Sequence, residues 1–218
     1  MNFRDAVIID YAETKIVDKT DRDVWELGGE VLDTLLAKTG LEKHEIDGMV
    51  VNAASIGAGS TFWSQTTADY LGLELDYCQI MDLGGCSPTA AVIRAAAAIE
   101  AGLCRRVLLL FADNGSARTP RTRSYRGEWT EPSGLLGPPG AFGLLTTRYE
   151  HQFGLNFEAM GKLAVTQRRH AVMNDNACEK LRKPITLADY LESRMIAEPL
   201  RLLDSVMPCD GASGLIMM

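Results

Sequence analysis

No stretch of the chain is apolar for the roughly 18 to 20 residues that a membrane span needs. The first residues, Met1, Asn2, Phe3, Arg4 and Asp5, do not form a secretory signal. Both features predict a cytoplasmic protein without a membrane span. Histidine is scarce, with three in 218 residues, and none of the five cysteines (Cys78, Cys86, Cys104, Cys178, Cys209) has another within two to four positions. That spacing predicts neither a structural zinc site nor a disulfide framework, and most of these thiols are expected to behave as small buried hydrophobes. No bound cofactor or metal is expected.

Basic charge is also in deficit. Lys and Arg number 22 against 29 Asp and Glu, a formal net charge of −7, which argues against non-specific nucleic-acid binding because phosphates require a surplus of cations. One local exception is the cluster Arg118, Arg121, Arg123 and Arg126. It suits an anionic ligand such as the phosphates of a coenzyme, and it equally suits a solvated basic loop.

What is present is a globular composition, 46% hydrophobic and 23% charged, arranged in two alternating patterns. Short β-branched runs at residues 6–11, 46–51, 77–81 and 106–111 read as buried strands. Between them lie helical periodicities. Val24, Leu27, Val31, Leu32, Leu35 and Leu36 recur on one face after a cap at Asp21 or Asp23 and stop at Gly40. Further helices are expected near 61–72 and 86–101. Strands alternating with helices predict an α/β fold whose mostly parallel sheet is covered on both faces. From 115 to 143 the chain is rich in Gly, Pro, Ser, Thr and Arg, including Gly137-Pro138-Pro139-Gly140, and reads as a loop or lid. Helices are expected again near 144–149 and 156–173, with another after a Thr186 cap that Pro199 ends. Asp210 and Gly211 then turn into a final apolar strand, which needs covering by another element because an exposed apolar edge invites aggregation.

The sharpest local feature is Met81-Asp82-Leu83-Gly84-Gly85-Cys86-Ser87-Pro88-Thr89, a strand, a glycine turn and a helix beginning at a cysteine. A helix N-terminus favours negative charge, so a thiol placed there is a candidate nucleophile, and Gly84 and Gly85 permit the sharp turn that would present it. Pro88 suits a first helical turn. The structural alternative is a buried core cysteine. A phosphate-binding reading fails, because the turn has neither three glycines nor a P-loop lysine. His44, His151 and His170 belong to no catalytic spacing and read as surface residues, while Cys78, Cys104 and Cys209 read as structural.

The Cys86 turn with its Ala-rich helix, Ala98-Ile99-Glu100-Ala101-Gly102 leading into Val107-Leu108-Leu109-Leu110, the segment from Ile185 to Asp204, and Cys209-Asp210-Gly211-Ala212-Ser213-Gly214 occur in an order that resembles the thiolases. The likeness is to sterol-carrier-protein-type thiolases and related acetyl-CoA acetyltransferase-like proteins. It implies a layered α/β/α half with an inserted loop domain: 1–113 as core, 114–199 as a loop domain over the active site, and 200–218 as the last core strand, with the C-terminal half absent. It also implies coenzyme A or acyl-CoA as substrate, an acyl-Cys86 intermediate in 3-ketoacyl-CoA thiolysis or condensation, and lipid metabolism as the setting. The Arg118, Arg121, Arg123 and Arg126 cluster would then meet coenzyme A phosphates, and Trp129, Phe142, Tyr149 and Met160 are apolar enough to line an acyl pocket, core packing being the commoner fate of such residues. A homo-oligomer, or a partner subunit supplying the second half, is expected. Two other readings stay open: a same-fold steroid side-chain retro-aldolase working with a small partner, and a non-catalytic scaffold subunit.

Overall fold

The computed structural model describes residues 6–53, 62–115, 129–135 and 137–218. The chain divides into two compact units, Met1–Arg118 with Cys209–Met218, and Thr119–Pro208.

The first unit is built on β1 (Ile8–Glu13), α1 (Val24–Thr39), β2 (Gly48–Asn52), α2 (Trp63–Leu71), β3 (Tyr77–Met81), α3 (Ser87–Glu100) and β4 (Val107–Asn114). Asp23 caps α1, its carboxylate accepting the N–H groups of Trp25 and Glu26 while Glu26 reaches back to the Asp23 N–H. Such a cap contributes ~1 kcal/mol. Gly40 ends the helix in the left-handed conformation, as the sequence predicts.

The second unit begins with α4 (Gly137–Phe153) and α5 (Phe157–Met173), followed by α6 (Leu187–Glu192) and the ribbon β5 (Met195–Ala197) with β6 (Leu200–Arg201). Here the sequence reading needs two corrections. Gly137-Pro138-Pro139-Gly140 is not loop but the opening of α4, because the first helical turn has N–H groups without intrahelical partners and therefore tolerates prolines that lack them. Pro199 does not end α6, which stops at Glu192; it lies in the turn between β5 and β6. Residues 200–208, assigned from sequence to the core, pack in this second unit. Its anchor is Tyr190, fully buried, whose hydroxyl donates to the Asp204 carboxylate at 2.9 Å while the Arg201 guanidinium lies over the Tyr190 and Phe157 rings.

The chain then returns to the first unit as β7 (Asp210–Met217). The sheet order is β1-β7-β4-β2-β3. β2 pairs in parallel with both β3 and β4, whereas β7 is antiparallel to both β1 and β4. Four strands thus run one way and β7 runs against them. The last strand is an interior one: β1 and β4 from its own chain already cover both of its edges.

The sheet alternates as a strand buried on both faces must. Met49, Val51, Leu108, Leu110 and Ile216 face α1 and α2, with Leu27, Val31, Leu32 and Leu35 of α1 packed on them. Val50, Val107, Leu109 and Met217 face the opposite side, where Ala91, Ala95, Ala96 and Ala98 of α3 meet them. The small side chains of α3 let it lie close to the sheet. Among the described residues, no helix is long and apolar enough to cross a membrane.

Backbone approaches closely at Gly214 in β7, where a Cβ would fall 2.8 Å from both the Leu109 carbonyl oxygen and a Val31 methyl. Gly214→Ala is therefore expected to cost about 1–3 kcal/mol through overpacking, read as a lower denaturant midpoint with an unchanged m-value.

Candidate active site

The strand order reverses around β2. The connection through α2 crosses one face of the sheet to reach β3 on one side of β2, and the connection through α3 crosses the other face to reach β4 on its other side. In parallel α/β sheets such a reversal opens a crevice at the carboxyl ends of the strands, where ligands bind. A crevice of about 390 Å³ lies there, lined by Asn52 at the end of β2, Met81 at the end of β3, Ala112 and Asp113 of β4, and the turn residues Asp82, Gly84, Gly85 and Ser87.

The turn is held by Ser87. Its buried hydroxyl donates to the Gly84 carbonyl at 2.8 Å and accepts the Leu83 N–H at 2.8 Å, and its own N–H also reaches the Gly84 oxygen. Gly84 has φ +60°, and a Cβ there would meet nothing within 4 Å, so glycine is required by backbone conformation rather than by space. Cys86 follows as the N-terminal cap residue of α3, exposed, with its Sγ 3.0 Å from the Leu83 carbonyl oxygen and no capping bond from its side chain. Among the described residues this carbonyl is the hydrogen-bond partner of the thiol, and it is an acceptor, not a base. The helix itself offers a sparse set of donors: the Ser87 and Ala90 N–H groups are satisfied within the turn, and Pro88 has none.

Three polar groups of this crevice carry no role in the sequence reading. Asn52 places its amide against β4, donating to the Ala112 carbonyl and accepting the Ala112 N–H, each at 3.1 Å, which extends the ladder by a side chain. Asp82 and Asp113 bring two carboxylates to the ends of β3 and β4. The available signal was a charged residue terminating a buried apolar run, which reads as an ordinary strand end until the ends are brought together.

The other candidates scatter. Arg118, Arg121, Arg123 and Arg126 lie outside the described residues. Trp129, Phe142 and Tyr149 are exposed, and Met160 is half-buried, all within the second unit. His44 is exposed and pairs with Glu42 at 3.2 Å; His151 and His170 are exposed on α4 and α5. Cys104 and Cys178 are buried, and Cys78 and Cys209 half-buried. Burial, together with the nearby Asp47 and Asp76 carboxylates, pushes the Cys104 thiol up to about 11. Burial also raises Cys78, against a hydrogen bond from Ser64.

The architecture and the placement of the crevice define a thiolase-like α/β fold. It is shared with the SCP2-thiolase-like protein type 1 from Mycobacterium smegmatis, at a TM-score of 0.77 and 21% identity, covering all of this chain and 46% of that one. A higher score, 0.85 at 29% identity, is found with the Ltp2-ChsH2(DUF35) aldolase, covering 98% of this chain and 55% of that one. No family model matches the sequence.

Among curated relatives, the steroid side-chain-cleaving aldolase of Thermomonospora curvata is 28% identical over 98% of this chain and 56% of its own length. The 17-hydroxy-3-oxo-4-pregnene-20-carboxyl-CoA lyase of Mycobacterium tuberculosis is 29% identical over 97% and 57%. An acetyl-CoA acetyltransferase of Methanocaldococcus jannaschii is 26% identical over 98% and 55%. The chain thus spans about half the length of the curated relatives it matches.

Thiol labelling of the native protein at neutral pH is expected to modify Cys86 first and to leave Cys104 and Cys178 protected. Because the Cys104 value lies above its ordinary 9.0, its neutral form contributes stability that is present below about pH 9 and lost as pH rises through about 11. Peptide-resolved mass spectrometry measures the labelling, and the denaturant midpoint followed across this pH range measures the stability.

Proposed function

We propose that this chain forms part of a carbon–carbon lyase that cleaves a β-hydroxyacyl-CoA thioester by a retro-aldol step, of the kind that shortens steroid side chains, rather than an acyltransferase working through acyl-Cys86. The likeness to two aldolase-type relatives over almost the whole chain carries this reading. The site chemistry supports it, since among the described residues the exposed Cys86 thiol has no base as a hydrogen-bond partner.

A retro-aldol cleavage needs no covalent acyl-enzyme. A base removes the proton of the β-hydroxyl, the Cα–Cβ bond breaks as the carbonyl product forms, and its electron pair passes to the thioester as an enolate, which then takes a proton at Cα. In this crevice, the carboxylates of Asp82 and Asp113 are the proton acceptors, and the positive end of α3 faces the developing enolate oxygen. Coenzyme A enters as part of the substrate. The sparse donors of the α3 terminus leave room for further oxyanion donors from the remainder of a longer protein or from a partner subunit, such as the ChsH2(DUF35) component of the aldolase structure.

Acyl transfer is the second reading, favoured by the position of Cys86 at a helix N-terminus. The two separate on variants of the complete protein, assayed with any subunit that co-purifies. Cleavage of a β-hydroxyacyl-CoA is expected to survive Cys86→Ala within a few-fold and to fall ~100-fold or more in Asp82→Asn or Asp113→Asn, the scale of a lost general base. Thiolysis of a 3-ketoacyl-CoA that disappears in Cys86→Ala would overturn the lyase reading.

A further inference from the structure

Among the described residues, β1 is an open edge of the sheet, and it begins in an apolar run. Val7 and Ile8 are 53% and 55% exposed, and Tyr11 is 63% exposed. An edge of this kind is a template for another strand, because its outward N–H and C=O groups lack partners. At Tyr11 they do not. Thr14 N–H donates to the Ala212 carbonyl of β7 at 2.9 Å, and in an antiparallel ladder alternate residues bond the same neighbour. Ala12 therefore bonds β7 while the main-chain groups of Tyr11 project from the open side.

Both Tyr11 groups are occupied by side chains. The Tyr11 N–H donates to Asp10 Oδ1 at 2.7 Å, and the Tyr11 carbonyl accepts from Lys38 Nζ at 2.6 Å. Lys38 Nζ also lies 3.2 Å from Asp10 Oδ1 and 4.9 Å from the centre of the Tyr11 ring. Lys38 is held in place by α1, whose Leu32 and Leu35 are fully buried one to two turns earlier. A register shift between Ile8 and Asp10 breaks the regular pleat of the strand just before this point, and such a bulge discourages pairing.

We propose that Asp10 and Lys38 form a lock over the edge of β1 that keeps this strand from pairing with β1 of a second copy of the chain. The Tyr11 N–H and Lys38 together hold the Asp10 carboxylate below the usual range. With the lock removed, two copies can meet edge to edge about a two-fold axis, each offering the free N–H and C=O of Tyr11 and the exposed Val7 and Ile8 to the other.

The test is the mass of the full chain in solution, by size exclusion with light scattering over a concentration series. Lys38→Met keeps the aliphatic stem but removes the charge and the donors. It is expected to raise the mass with concentration towards twice that of the unmodified protein, and adding Ile9→Lys is expected to return it, since a lysine on an edge opposes strand addition. Asp10→Ala, which leaves α1 untouched, is expected to act in the same direction and serves if Lys38→Met does not fold. An unchanged mass in a folded Lys38→Met or Asp10→Ala protein, or an increase that Ile9→Lys fails to reverse, would overturn the lock.

Discussion

The arrangement depends on a single long-range pairing, that of β7 with β4. Residues 210–217 align with residues 107–114 in an eight-residue antiparallel register, so that Asp210 sits opposite Asn114 and Met217 opposite Val107. Closing the chain over about a hundred residues carries an entropic cost that grows only slowly with loop length, and it is offset by burial of Ile216 and Met217 on opposite faces of the sheet. Once β7 is seated, everything between Asn114 and Asp210 must leave the sheet and come back at the same end. That requirement makes the intervening segment a separate unit with its own anchor at Tyr190. It also gives β1 its place, because among the described residues β1 has no partner in the sheet other than β7.

The crevice follows from the other half of the sheet. β2 stands between two parallel neighbours whose connections pass on opposite faces, so the ends of β2, β3 and β4 diverge just where the chain turns into α3. The glycine turn does not create this opening; it shapes one wall of it. Ser87 fixes the turn from both sides, and the conformation of Gly84 sets the direction in which Cys86 emerges. Two carboxylates and the N-terminus of α3 therefore converge at this opening from β3 and β4.

The chemistry and the packing draw on the same economy of small residues. α3 is rich in alanine and sits close against Val50, Val107 and Leu109, which brings its N-terminus to the strand ends. On the opposite face, α1 carries larger side chains and reaches further, and its last turn extends to the outer strand, where Lys38 meets the backbone of Tyr11. One helix thus supports the site and the other guards the margin of the sheet.

Local sequence by itself determined what depends on neighbours along the chain. The apolar runs of the strands, the aspartate cap and Gly40 stop of α1, the Thr186 cap of α6, and the turn ending at Cys86 are all short-range, because period, capping and glycine conformation act within a few residues. The likeness to thiolases was legible in the order of such pieces. Tertiary structure alone decided that the last strand is interior and antiparallel, since strand direction is set by which partner offers an unsatisfied edge and not by the composition of the strand. It decided too that Gly137-Pro138-Pro139-Gly140 opens a helix and that Pro199 sits in a ribbon turn. And it decided that Asp82 and Asp113 share a crevice with the Gly84-Gly85 turn, because side chains more than a few residues apart acquire a common environment only when the sheet brings the strand ends together.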